Sequence, residues 1–140
     1  MTPVAEKRLL QAVTALACLV PIAMGGASIV FGSAILGGVD NPPPRDLDSH
    51  FRYLSGIFLV MGLAFASCVP AIERKGGRLR LLGAMVVMGG IARGWSALEY
   101  GLPSTGHRFG LIMELGVAPV VLLWQARLAG RFAKENGDER

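Results

Sequence analysis

Four apolar runs with little sequence between them constrain this chain more than any other feature. The runs cover about residues 9–38, 51–72, 79–98 and 109–128 of a 140-residue chain. Each is long enough to cross a hydrocarbon core of about 30 Å, which takes about 20 helical residues. Because a membrane-spanning segment must satisfy its own backbone hydrogen bonds, such runs fold as helices. The sequence therefore predicts an all-α integral membrane four-helix bundle, with residues 1–140 as a single domain.

The composition agrees with a membrane protein. Only 17% of the residues are charged, whereas a soluble domain carries about 25%. The first apolar run is far longer than the core of a cleaved signal peptide, which spans roughly 7–15 residues. We therefore expect the first run to be retained as a membrane helix.

The distribution of lysine and arginine predicts the orientation. Ten of these residues lie on the side of the two termini and the second connection, and four lie on the other side. Cytoplasmic connections carry the excess of positive charge, so we expect both termini to be cytoplasmic and the protein to lie in the inner (plasma) membrane. The net charge of +4 suits contact with membrane lipids, and nothing in the sequence indicates a nucleic-acid partner.

Two charged residues lie deep inside predicted spans. Placing a charge near the centre of a membrane helix costs roughly 2.5–3.5 kcal/mol, so such a charge is normally paired. Arg93 and Glu114 lie roughly 8 Å and 10 Å inward from the ends of the third and fourth apolar runs, at 1.5 Å per helical residue. Their opposite signs and similar depths predict an ion pair between the third and fourth helices.

Other polar residues recur at helical spacing near the same ends of the second, third and fourth runs. Ser96 and Tyr100 share the face of Arg93, while His107 and Gly110 share the face of Glu114. We expect the polar faces of three helices to converge in the outer half of the bundle, leaving an inner half that is almost purely leucine, valine, methionine and alanine. The candidate ligand-binding residues are His50, Arg52, Tyr53, Arg93, Ser96, Tyr100, His107 and Glu114.

A structural alternative stands beside each of these roles. The Arg93–Glu114 pair is equally well explained as an ion pair that fixes helix register. The two histidines lie near helix starts, where capping histidines are common. Aromatic residues such as Trp95, Tyr100 and Trp124 suit interfacial anchors.

The segment before the second run predicts helix capping. Asp48 and Ser49 supply the carboxylate and hydroxyl that suit the exposed amides of a helix start. Arg52 follows Asp48 by four residues, so a local ion pair is one possibility and an arginine reaching toward lipid head groups is another. We treat Asp48 and Ser49 as structural residues.

Small residues and cysteines indicate packing. Gly90 and Gly94 form a GxxxG match, which allows two membrane helices to approach closely. Cys18 and Cys68 have no cysteine or histidine neighbour at metal-ligand spacing, so both are interpreted as packing residues and no metal site is expected.

A resemblance adds to this interpretation. The segment LDSHFRYLSG, residues 47–56, resembles the signature of a bacterial family of small four-span membrane proteins catalogued as a domain of unknown function. The combinations of Arg93 with Ser96 and of Glu114 with Pro119 are similar to that family too. The resemblance extends from about residue 10 to residue 127 and implies a four-helix membrane fold. It implies no activity and no cofactor.

Three classes of function remain open. The first is binding, or enzymatic transformation, of a small amphiphile such as a lipid, a sterol-like or a quinone-like molecule. The second is an accessory subunit of a larger membrane complex, or a homo-oligomer. The third is a transporter, for which the sequence lacks the expected inverted repeats. No phosphate-binding loop, dinucleotide fingerprint, zinc signature or nucleophile elbow is present, so whether the protein is an enzyme, and with which cofactor, stays unknown.

Overall fold

The chain is all-α. The computed structural model describes residues 2–138, and the side chains of residues 2–134. Within that part of the chain there is no strand. The helices are α1 (Pro3–Phe31), α2 (Arg45–Ala66), α3 (Gly76–Tyr100), α4 (Thr105–Ile112) and α5 (Ala118–Asp138). A 3₁₀ turn, Gly32–Ile35, follows α1, and a second one, Val69–Ala71, follows α2.

Within residues 2–138, four helical stretches are long and apolar enough to cross a membrane. The π-helical turn Met113–Val117 joins α4 to α5, so these elements form one continuous stretch. The four stretches are Pro3–Ile35, Arg45–Ala71, Gly76–Tyr100 and Thr105–Lys134. The predicted all-α, four-span fold is therefore confirmed.

The helices extend beyond most of the predicted apolar runs, because polar residues at their ends are also helical. At two boundaries the opposite holds. The second run was predicted to continue to Ile72, but α2 ends at Ala66. The first run was predicted to continue to Gly38, but α1 ends at Phe31. Gly32 follows with a φ of +66°, a left-handed conformation that glycine adopts without strain and that commonly ends helices.

The chain divides into two compact units. The terminal unit comprises Met1–Gln11 and Pro70–Arg140, and the central unit comprises Ala12–Val69. The boundary falls inside α1, so the first turns of that helix belong to the terminal unit and the rest to the central unit. We describe each unit by itself, and the expectation of a single domain stays a prediction.

In the terminal unit, α3 packs against α5 and against the π-helical turn. The fully buried apolar side chains here are Leu10, Ile72, Leu79 and Leu128. Gly83 of α3 is buried where the side chain of Leu122 fills the space that a Cβ would need. A small residue on one helix thus admits a large one from the other, the usual packing of membrane helices.

In the central unit, the second half of α1 lies against α2. A Cβ on Gly25 would lie 2.8 Å from the backbone nitrogen of Leu59, and one on Gly62 would lie 3.0 Å from the ring of Pro21. The two helices therefore touch backbone to backbone at Gly25. Neither position has room for a larger side chain without a shift of the helix.

This close approach predicts that Gly25→Ala destabilises the protein. Overpacking of a tight contact costs about 1–3 kcal/mol, and the atoms in the way are backbone atoms of Leu59, which cannot rotate aside. Gly26→Ala is the matched control, because no atom of the described residues that a Cβ there could meet lies within 4 Å. Thermal unfolding in detergent should show a lower melting temperature for Gly25→Ala only. Equal melting temperatures for the two variants would contradict the packing described.

Candidate functional site

Arg93 and Glu114 form a bidentate ion pair in the terminal unit. The Nε of Arg93 donates to Oε2 of Glu114, and its Nη2 donates to Oε1, both at 3.0 Å. The side chain of Glu114 is 14% exposed and that of Arg93 is 32% exposed. Two parallel charge-assisted bonds of this kind fix orientation as well as attraction. The ion pair predicted from sequence is confirmed.

Close packing by a glycine positions this pair. A Cβ on Gly90 of α3 would lie 2.8 Å from Cβ of Glu114 and 2.8 Å from Cδ2 of Leu115. Because Gly90 has no side chain, the π-helical turn approaches the backbone of α3 at this point. The GxxxG interpretation as helix packing is confirmed at Gly90. At Gly94, an added Cβ would make an ordinary contact of 3.9 Å with Cδ1 of Leu111.

Glu114 lies in the π-helical turn, and Pro119 offers a physical reason for that turn. Proline has no backbone N–H, and its ring crowds the carbonyl four residues earlier, so an ordinary helix widens or breaks there. Immediately before the proline, the N–H of Ala118 bonds to the carbonyl of Met113, five residues back. Single π turns of this kind occur frequently at functional sites.

Arg93 and Glu114 lie further from the ends of their helices than the apolar runs indicated, because both helices extend beyond those runs. Arg93 precedes the end of α3 by seven residues, which is about 10 Å. Glu114 follows the start of α4 by nine residues, which is about 13 Å. Gly110 borders the pair, but a Cβ there would make ordinary contacts of 3.8 Å with Arg93 and Glu114. Gly90, and not Gly110, is therefore the tight position beside the pair.

The other candidates of the terminal unit do not join the pair. Ser96 and Tyr100 follow Arg93 along α3, but both are exposed, Tyr100 by 84%. His107 lies in the first turn of α4, where its Nδ1 is 3.0 Å from Oγ of Ser104, the residue before the helix. This contact supports the alternative role of His107 at a helix start. A ligand-binding role for these three residues stays a prediction.

Asp48 and Arg52 form a second polar cluster, in the central unit. The carboxylate of Asp48 accepts the backbone N–H of Ser33 at 2.8 Å and the Nε–H of Arg52 at 2.7 Å. Arg52 also donates to the carbonyls of Ile29 and Val30 in the last turn of α1. A cation at the carboxyl end of a helix is favoured by the helix dipole. The cluster thus joins the end of α1 to the start of α2.

The capping roles expected for Asp48 and Ser49 are wrong. Helix α2 begins at Arg45, and none of the side chains that the structure describes caps it. Both residues therefore lie inside the first turns of the helix. Asp48 instead bonds to the start of the 3₁₀ turn after α1, and Ser49 is exposed. The alternative that pairs Asp48 with Arg52 is the correct one.

His50 and Tyr53 lie together on α2, with their ring centroids 6.5 Å apart. Both side chains are exposed. The candidates of the second span belong to the central unit, whereas Arg93 and Glu114 belong to the terminal unit. Convergence of all three polar faces stays a prediction.

The terminal unit also holds a polar network that the sequence did not lead us to expect. Glu6 is 5% exposed, and its carboxylate accepts the indole N–H of Trp124 at 3.0 Å and an N–H of Arg131. Gln125 is 1% exposed and donates to the carbonyl of Ile72 at 2.9 Å. The expectation of an inner half that is almost purely apolar and the interpretation of Trp124 as an interfacial anchor stay predictions. The sequence feature that could have indicated this network is Gln125, an amide side chain near the end of the fourth apolar run.

Glu73 lies beside this network, in the connection between the second and third spans. Its Oε2 is 3.0 Å from Nζ of Lys7, and its Oε1 is 3.5 Å from Nε of Arg74. Burial acts to raise the pKa of Glu73, but its own backbone N–H and the ammonium of Lys7 outweigh burial. The pKa is therefore lowered from its ordinary value. The carboxylate thus stays ionised and holds α1 to this connection.

The chemistry available at the Arg93–Glu114 pair is hydrogen-bond donation. The guanidinium uses Nε and Nη2 for Glu114, and Nη1 has no hydrogen-bond partner among the residues that the structure describes. Because the side chain is about a third exposed, this edge is open to an acceptor from outside. Among the described residues, no three histidine, cysteine, aspartate or glutamate side chains are grouped as a metal site requires.

A comparison with known protein families identifies the family of this chain. The model of a family described as Domain of unknown function (DUF4345) matches residues 9–125. The chain belongs to this family. The DUF4345 match includes Arg93 and Glu114 together with the cluster at Asp48 and Arg52, and it confirms the resemblance noted in the sequence. No curated protein and no solved structure matches the chain.

Proposed function

We propose that the Arg93–Glu114 pair binds the head group of a small amphiphilic molecule whose tail lies along the membrane helices. The observation that carries this proposal is the open edge of the guanidinium. Glu114 fixes the orientation of Arg93 from one side, and about a third of the arginine side chain is exposed. A donor that is already held in position loses little freedom when a ligand binds, and preorganisation of this kind favours affinity.

The charge of the pair selects the kind of head group. Arg93 and Glu114 neutralise each other, so the pair as a whole carries no net charge. An anion bound here would leave an uncompensated charge in a poorly hydrated setting, which is strongly unfavourable. An uncharged acceptor, such as a carbonyl or hydroxyl oxygen, carries no such penalty. The proposed ligand class is therefore a neutral lipid-like molecule with an oxygen acceptor, of which quinone-like and sterol-like molecules are examples.

The charge distribution supports a membrane location and an orientation for this site. Positive-inside asymmetry supports a plasma-membrane protein with cytoplasmic termini and with Arg93 and Glu114 in the outer half of the membrane. A bacterial inner membrane suits the resemblance noted in the sequence. These statements of origin, localisation and orientation are part of the proposal.

The test is native mass spectrometry of the protein extracted in mild detergent. We expect a small molecule to co-purify with the wild type. Arg93→Lys retains the positive charge beside Glu114 but loses the planar fork and its open edge. A hydrogen bond to a charged group contributes about 1.5–3 kcal/mol, so the bound fraction should fall about tenfold or more while the protein stays folded.

Arg108→Lys is the matched control. Arg108 is an exposed residue of α4 in the same unit, and the substitution is chemically identical. This variant should retain the molecule at the wild-type level. Equal retention by both variants would contradict the proposal. So would a wild-type protein that carries no small molecule, or one that carries a second protein subunit in its place, as an accessory subunit would.

A further inference from the structure

One end of the terminal unit carries an excess of positive charge that the structure leaves uncompensated. Ion pairs between Lys7 and Glu73 and between Glu6 and Arg131 bring together the start of α1, the connection before α3, and the later turns of α5. We call residues 6–8, 73–80 and 127–134 the basic end. Its cationic residues are Lys7, Arg8, Arg74, Lys75, Arg78, Arg80, Arg127, Arg131 and Lys134.

The two acidic residues of the basic end already have hydrogen-bond or ion-pair partners. Glu6 accepts from Trp124 and Arg131, and Glu73 pairs with Lys7 and Arg74. Both carboxylates are largely buried, with side chains 7% and 11% exposed. They therefore offer no further compensation to other cations at this end.

Six cationic side chains remain. In the part of the chain whose side chains the structure describes, none of the six has an ion pair or a side-chain hydrogen bond. All six are exposed. They are Arg8, Lys75, Arg78, Arg80, Arg127 and Lys134. The sequence after Lys134 adds three acidic residues and one arginine, whose side chains lie outside the described part.

The position of these cations points to the membrane surface. Lys75 immediately precedes α3, and Arg78 and Arg80 lie in its first turns, where a membrane-length helix begins. Arg127 and Lys134 lie in the last turns of the Thr105–Lys134 stretch. Both sets therefore lie at the ends of membrane-length helices, the level at which phospholipid phosphates are found. Clusters of four to eight such residues beside a membrane helix bind anionic lipids.

We propose that the basic end is a binding surface for anionic phospholipid head groups, separate from the Arg93–Glu114 pair. Arg78 and Arg80 are the residues that contribute most, because both are exposed, unpaired and attached to the first turns of α3. A guanidinium also matches the phosphate oxygens in a bidentate manner. Each such cation contributes about fivefold to the affinity for an anionic surface.

The experiment compares two lipids of identical acyl chains, phosphatidylglycerol and phosphatidylcholine, added in equal amounts to the detergent-solubilised protein. Native mass spectrometry measures the ratio of the two bound lipids. The wild type should prefer phosphatidylglycerol. In the double variant Arg78→Gln with Arg80→Gln the preference should fall about 25-fold, and by at least tenfold. The double variant Arg78→Lys with Arg80→Lys keeps the charges and should keep most of the preference.

The control is the double variant Arg45→Gln with Arg108→Gln. It removes the same charge from exposed arginines outside the basic end, at the starts of α2 and α4, and should retain the wild-type preference. Circular dichroism and gel filtration establish that every variant is folded. An unchanged preference in the Arg78/Arg80 glutamine variant would overturn the proposal, as would an equal loss in the control.

Discussion

Glu114→Leu alone will destabilise the protein by about 3 kcal/mol, whereas Arg93→Met combined with Glu114→Leu will cost far less. The reason lies in the bidentate contact and in the burial of Glu114. Removing one partner of a buried pair leaves an uncompensated charge, which costs about 3–5 kcal/mol, while replacing both with apolar residues is often neutral. The expected loss of stability lies at the lower end of this range because Arg93 is partly exposed. Equilibrium unfolding in mixed micelles measures both free energies.

Glu99→Leu is the control for this experiment, since it removes an exposed carboxylate from the same helix as Arg93. Its effect should be within about 0.5 kcal/mol, as for most surface substitutions. Additive losses from Arg93→Met and Glu114→Leu in the double variant would mean that the two side chains do not interact. That result would remove the basis of the proposed binding site.

Gly32→Ala will destabilise the central unit by about 3 kcal/mol. A non-glycine residue in the left-handed region costs about 1–2 kcal/mol, and Gly32 has a φ of +66°. An added Cβ would also coincide with the carboxylate of Asp48 and the guanidinium of Arg52. Those groups must move apart, so hydrogen bonds worth about 1 kcal/mol each are weakened. Thermal unfolding in detergent should show the largest decrease of any single alanine substitution at a glycine.

Gly37→Ala serves as the control. Its added Cβ would have open space among the described residues, and its φ is not in the left-handed region. We expect its melting temperature to stay near that of the wild type. A Gly32→Ala protein as stable as Gly37→Ala would show that the contact of α1 with Asp48 and Arg52 is absent from the folded protein.

The sequence predicted the pair of Arg93 and Glu114 because two physical constraints pointed to the same answer. A charge in a membrane helix needs a partner, and only one residue of opposite sign lay at similar depth in the next span. The four spans followed from length and hydropathy alone, since few folds accommodate runs of 20 apolar residues.

The missed features depend on geometry that a linear pattern does not carry. Asp48 looked like a cap because its position before an apolar run has the usual capping chemistry, but α2 begins earlier, at Arg45. Glu6 and Trp124 are 118 residues apart in the chain, so no local spacing joins them. The π-helical turn at Glu114 depends on how α5 accommodates Pro119 while packing against α3.

The geometry of the pair also bears on its proposed role. A guanidinium held on one side by Glu114 and open on the other does not need to reorganise before it donates to a ligand. A purely structural ion pair would need no exposure of either side chain. The difference in exposure between Arg93 and Glu114, 32% against 14%, is what favours binding.

The most direct measurement is the distance between Nε of Arg93 and Cδ of Glu114 in the protein reconstituted into lipid bilayers. Solid-state NMR dipolar recoupling on specifically labelled protein gives this distance. The bidentate contact, with its N–O distance of 3.0 Å, predicts a nitrogen-to-carbon separation of about 4 Å and a measurable dipolar coupling that Glu114→Gln alters. A coupling too weak to detect in the wild-type bilayer sample would contradict the ion pair and, with it, the proposed site.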